Sequence, residues 1–173
     1  MIDTVRLRVL IDTSDGTDVF RDLALPLEYT FRQLHNAITD AFDFDPSEMA
    51  SFYMSNEYWD KGEEIPLMDV GHGERSPKTM DEVLLKEKIN KEDQRLLYVF
   101  DFLLMWCFYI EVVDFESSDS SESFPKLLLS YGEAPDQHSK EPSDLFGAMP
   151  GMDLDDLGGD ESDEGSDQDE DLI

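Results

Sequence analysis

The chain has 173 residues, 40% of them hydrophobic, enough for one sizeable core and a single domain with appendages. Its 42 acids against 13 Lys and Arg leave a net charge of −29, so phosphate backbones should repel it and direct nucleic-acid binding is not expected. A lone cysteine, Cys107, excludes an internal disulfide and any Cys-based metal cluster within one chain.

Residues 4 to 12 alternate, with Val5, Leu7, Val9 and Ile11 on one side and Arg6, Arg8 and Leu10 on the other, which predicts a half-buried strand. No apolar segment followed by a small-residue cleavage site stands here, so a cytoplasmic location is expected. Ser14-Asp15-Gly16-Thr17 reads as a turn, and residues 19 to 25 as an antiparallel second strand ending at Pro26. Thr30-Phe31-Arg32-Gln33 fits a capping box: the Thr hydroxyl accepts from a first-turn amide while the Gln side chain reaches back. The helix it opens carries an apolar stripe at Leu34, Ile38, Ala41 and Phe42, with Arg32, Asn36, Thr39, Asp40 and Asp43 turned outward.

Residues 51 to 55 predict a third strand, and the Gly- and Pro-rich stretch from 56 to 77 a long irregular connection. Thr79-Met80-Asp81-Glu82 is a second capping box, expected to open a short helix over Val83, Leu84 and Leu85. The mixed cluster Lys86, Lys88, Lys91 and Arg95, interleaved with Glu87, Glu92 and Asp93, reads as a solvated face.

The run from 96 to 115 is almost wholly apolar. A membrane-spanning helix needs about 20 consecutive apolar residues, and here the uninterrupted part extends only from Phe102 to Ile110. Aromatic and β-branched residues dominate, so two central strands are predicted, 95 to 102 and 105 to 115, joined by a tight turn at Leu103 and Leu104. After a polar loop at 116 to 123, residues 124 to 131 form a last strand at the sheet edge. The expected fold class is α+β, a compact and mostly antiparallel sheet covered by one main amphipathic helix and a second short helix.

Beyond about Ala134 the composition turns to Ser, Asp, Glu and Gly. No Lys or Arg follows Lys140, while 13 acids do, so the last 33 residues carry nearly half the net charge. Such a segment cannot bury enough apolar area to offset its ordering entropy and is expected to be disordered alone. Leu145, Phe146, Met149, Met152, Leu154 and Leu157, set among the acids, are its candidate partner-binding anchors. The expected division is a domain over residues 1–137 and an acidic tail over 138–173.

The N-terminal hairpin, the helix with Leu34-His35 after Thr30, and Tyr98-Val99-Phe100-Asp101-Phe102 leading to Trp106 together resemble the plasmid pRiA4b Orf-3-like family. Members carry a Tyr-x-Tyr-Asp-Phe-Gly-Asp-x-Trp-x-His pattern on this hairpin. The resemblance covers about residues 3 to 137 and implies a compact α+β domain with no settled biochemical activity. Some members carry a resolvase label, but serine-resolvase chemistry needs an activated Ser, an Arg cluster and a basic DNA-binding helix, which this sequence does not provide. Against the family pattern, Leu103 and Leu104 stand for Gly and Asp, and Phe108 for His. The family's later Pro-Pro-Glu-Asp-Cys-Gly-Gly segment survives only as Ala134-Pro135-Asp136-Gln137.

The remaining chemistry is sparse. His35 sits beside the apolar stripe at the core edge or surface, His72 lies in a Gly-His-Gly loop and His138 starts the tail, and no His-x-x-x-His spacing or Cys pair accompanies them. No glycine-rich phosphate loop is present, so neither cofactor nor metal is expected. Asp101 inside an apolar hairpin must either bond the turn backbone or sit in a polar pocket that perturbs its pKa. The preferred reading is a non-catalytic protein-interaction module or accessory factor whose acidic tail engages a basic protein surface, or a nucleic-acid channel by charge mimicry, without contacting a membrane. The alternative is a small ligand-binding domain or enzyme with a pocket beside the 96–115 hairpin, near Tyr98, Asp101, Trp106 and His35.

Overall fold

The computed structural model describes residues 1–71 and 73–141. The alternating N-terminus folds as β1 (Ile2–Ile11) and pairs with β2 (Phe20–Pro26) in an antiparallel hairpin. Then come α1 (Phe31–Ala41), β3 (Ala50–Met54), β4 (Glu64–Pro66), a 3-10 turn at Gly73–Arg75, α2 (Leu85–Lys88), β5 (Arg95–Phe100), β6 (Trp106–Ser118) and β7 (Lys126–Tyr131). The seven strands form one sheet in the order β4-β3-β5-β6-β1-β2-β7, and every pairing is antiparallel. The architecture is therefore α+β, with the apolar pair β5 and β6 at its centre. Among the described residues no helix is long and apolar enough to cross a membrane.

Thr30 caps α1 as its sequence requires: its Oγ1 accepts from Gln33 N–H, and Gln33 Oε1 accepts from Thr30 N–H. Leu34, Ile38 and Phe42 bury the helix on one face of the sheet, where Phe31 meets Phe52 and Phe42 meets Phe108 edge-on at 5.2 and 5.1 Å. Two residues of the helix differ from the expected faces. Ala41 is only half-buried, and Thr39 points inward, where its hydroxyl donates to the carbonyls of His35 and Asn36. A Thr can face inward because its own helix backbone accepts the hydroxyl.

The second capping box forms only by half and does not start a helix. Glu82 Oε2 accepts from Thr79 N–H, and Glu82 N–H closes a turn onto the Thr79 carbonyl. The carbonyls of Met80 and Val83 then accept from Arg32 and Phe31 N–H, and Thr30 bridges Leu84. This turn and the residues after it thus satisfy first-turn donors of α1 that have no partner within their own helix, and α2 begins only at Leu85. The connection from 56 to 77 is not wholly irregular, since Glu64–Pro66 adds β4 beside β3.

On the face away from α1, the register aligns one row across six strands: Tyr53, Leu97, Tyr109, Leu10, Phe20 and Tyr131. Trp59 stands edge-on to Tyr109 with ring centroids 5.0 Å apart, and Phe20 stacks on Tyr131 at 5.1 Å. A parallel charged row, Arg95, Glu111, Arg8 and Asp22, runs beside it. The sheet therefore has a helix-covered face with the main core and an opposite face dressed by its own aromatic and charged side chains.

Candidate functional site

The hairpin that carries the family-like pattern ends in a turn longer than predicted. β5 stops at Phe100 and β6 starts at Trp106, and Asp101 and Met105 both take left-handed backbone, with φ of 59 and 54. Asp tolerates this conformation because its side chain bonds locally: Asp101 Oδ1 accepts from Leu103 N–H at 3.0 Å and from Leu104 N–H at 3.1 Å. Its own N–H donates to the Met49 carbonyl, tying the turn to the chain before β3. Asp101 thus holds the turn backbone. Phe102 and Leu103 project into water at the tip, 43% and 67% exposed.

Tyr98 and His35 meet inside the core, both fully buried. His35 lies not at the core edge but on the buried, sheet-facing side of α1, where Tyr98 supplies a polar partner. The Pro46 carbonyl lies 3.1 Å from Nε2 and can only accept, which fixes the proton on Nε2 and leaves Nδ1 to accept the Tyr98 O–H at 2.6 Å. Burial pushes the His35 pKa below its ordinary 6.5; the Pro46 bond opposes that shift and the Arg32 charge adds to it. Burial alone pushes the Tyr98 phenol well above its ordinary 10.0. The pair is neutral and mutually satisfied.

Phe108, where the family pattern has His, is buried against Phe42, Phe44 and Tyr98. Trp106 is buried too, and its Nε1–H donates 3.0 Å to the carbonyl of Gln137. Gln137 Oε1 accepts from Asp45 N–H at 2.7 Å, while its Nε2 is buried without a partner. Lys140 Nζ donates 2.8 Å to the Met105 carbonyl and sits 5.1 Å above the Trp106 ring. The remnant segment around Ala134-Pro135-Asp136-Gln137 is therefore tied, through Gln137 and the following Lys140, to the start of β6 and the end of the turn before it.

Grooves open between the described residues of this domain. One of about 790 Å³ is lined by Trp106 with Thr13, Asp18, Tyr131 and Pro135. Another of about 630 Å³ runs between Phe42 to Asp45 and Glu133 to His138, and a third of about 500 Å³ lies along the outer side of α1 against Phe124 and Pro125. His35, Tyr98 and Asp101 line none of these three. The four hairpin candidates thus separate into a sealed pair, a turn cap and a groove wall. Among the described residues no group of three or more His, Cys, Asp or Glu could hold a metal ion. Leu145, Phe146, Met149, Met152, Leu154 and Leu157, and His72, lie outside the described residues.

One polar cluster escaped the sequence reading. Asp22, fully buried on β2, receives Arg8 Nε at 2.8 Å and Nη2 at 2.9 Å as a two-pronged fork, and Arg6 Nη2 at 2.7 Å. Burial pushes the Asp22 carboxyl up, but the bonds and charges of Arg8 and Arg6 outweigh it and hold the group below its ordinary 3.8. The signal was present in the alternation of β1, which sets Arg6 and Arg8 on one face, and in the hairpin register, which sets Asp22 opposite Arg8.

Comparison with known proteins begins with the fold. The crystal structure of a protein of unknown function from Methanosarcina mazei Go1 superposes with a TM-score of 0.68 at 17% identity, covering 85% of this chain and 79% of that one. At this identity the likeness shows a shared fold. No curated protein matches the chain. The pattern of the plasmid pRiA4b ORF-3-like proteins matches residues 3–147, past the expected limit at 137, so that Leu145 and Phe146 fall within the matched stretch. With its hairpin motif, its fold and this match in agreement, the chain belongs to the plasmid pRiA4b ORF-3-like protein family.

Proposed function

We propose that this protein is a non-catalytic interaction module of the cytoplasm, in which the hairpin tip and the acidic segment rooted beside it engage one basic protein surface. The observation that supports it is the anchorage of Lys140 on the Met105 carbonyl and the Trp106 ring, at the end of the same turn that exposes Phe102 and Leu103. Apolar tip residues supply desolvated contact, and the 13 acids after Lys140 supply steering and complementarity toward cations. The sealing of His35 against Tyr98 supports the same reading, since neither group is offered to a substrate.

Affinity capture from the native host with the full chain, a chain ending at Glu141 and a Phe102→Ser, Leu103→Ser double variant tests it. The expected partner is basic, is lost from the truncated chain, is weakened by the double variant, and elutes as salt rises. Partners unchanged by truncation would sink the reading.

A ligand-binding domain or small enzyme is the second reading, and the groove of about 790 Å³ along Trp106 favours it. Its sign would be a small molecule that copurifies with the full chain and is lost in Trp106→Phe while the fold is retained.

A further inference from the structure

The two edges of the sheet are built differently. β4 is three residues long and ends in Pro66, which has no N–H to offer, and Glu64 bonds back to Ser51 and Tyr53. These features blunt an edge against strand addition. β7 has six residues, pairs on one side with β2, and among the described residues has no strand on its other side. A register shift between Asp22 and Leu23 pairs Leu129 with Asp22 and Leu127 with Leu23, on opposite faces, and leaves Leu128 as the bulged residue between them. Leu127, Leu128, Leu129 and Tyr131 are 54%, 46%, 43% and 55% exposed.

Charge identifies the occupant. Residues 125–132 carry one charge, Lys126, which pairs with Glu122 four residues back along its own chain, in a protein of net charge −29. A charged partner finds nothing to read on this strand, whereas an identical neutral, apolar strand fits it. We infer that β7 is a self-association edge: a second copy of this chain pairs β7 with β7 antiparallel about a twofold axis, continuing the sheet. Every strand pairing in the sheet is already antiparallel, so the twofold extends the same ladder without a new geometry. One strand edge offers less than the ~800 Å² per partner of a standard interface, so the dimer forms reversibly as concentration rises. Two copies this acidic repel, so added salt strengthens the pairing. That salt response is opposite to the one expected for capture of a basic partner, and the two proposals fail separately.

Sedimentation of the full chain over a concentration series, at low and high salt, tests the inference alongside Leu128→Lys, Leu129→Lys and the hairpin-tip variant Leu103→Lys. Circular dichroism confirms that each exposed substitution leaves the fold intact. The expected result is a monomer–dimer equilibrium that tightens with salt. It weakens at least ~10-fold in both β7 variants, because each Lys would have to be desolvated at the pairing edge, and stays unchanged in Leu103→Lys. A chain that stays monomeric at every concentration overturns the inference, as does a dimer indifferent to both β7 variants or one that loosens with salt. Protection from hydrogen exchange, in dilute monomer, of those β7 amides that do not face β2 overturns it too, since another segment would then cover the edge.

Discussion

Two buried polar clusters lie on opposite faces of the same sheet and solve the burial problem in opposite ways. Beneath α1, His35 and Tyr98 avoid charge: the Pro46 carbonyl fixes one tautomer, and each polar hydrogen of the pair has an acceptor. On the other face Asp22 keeps its charge because two guanidinium groups, each reaching water, surround it with three hydrogen bonds. The lesson is that neutrality suits a core closed to water, whereas an ion pair suits a site whose cations stay partly hydrated.

The comparison predicts an asymmetry that mutation can break. Removing both cations, in Arg6→Ala with Arg8→Ala, strands the Asp22 carboxylate in the sheet and should cost about 3–5 kcal/mol in denaturant unfolding. Asp22→Ala should cost less, roughly 1–3 kcal/mol, because Arg6 and Arg8 can turn to solvent. Equal losses would mean that the two partners are equally buried in practice. Tyr98→Phe leaves His35 Nδ1 without a donor and should cost about 1–3 kcal/mol in the same assay.

Acid separates the clusters further. His35 has a lowered folded pKa, so its contribution is complete above 6.5 and is lost as pH falls below that value, where the unfolded chain takes up a proton that the folded ring refuses. Stability should therefore fall with pH, by at most about 1.4 kcal/mol per unit, and His35→Gln should flatten that slope. Asp22, also lowered, adds its loss only below its ordinary 3.8. The smallest effect belongs to the turn, where Asp101→Ala removes one acceptor from two amides and should cost about 1 kcal/mol.

Local signals made much of the fold legible. The β1–β2 hairpin, the capping box at Thr30 and Gln33, and the aromatic β5–β6 pair are each encoded within a few neighbouring residues, and all form. β4 escaped notice because three residues, Glu64–Pro66, are too few to show a period. The short helix moved to Leu85 because the carbonyls of Met80 and Val83 serve α1, a demand set by another element. The interior of the candidate site was illegible for the same reason. His35 reads as a core-edge residue until Tyr98, 63 positions away, is folded against it, and Trp106 waits for Gln137, 31 positions on. Asp22 was within reach, since its partners lie in the adjacent strand.

The central claim is that the polar groups of the hairpin motif serve the fold and leave function to the outer surface. Nitrogen NMR of the His35 ring in the full chain, followed from neutral pH downward, tests it most directly. The account predicts a neutral ring protonated at Nε2, with slow solvent exchange, that takes up its second proton only below the ordinary 6.5. A ring that titrates near 6.5 with rapid exchange would contradict the account, because it would put an accessible acid–base pair back into the heart of the domain.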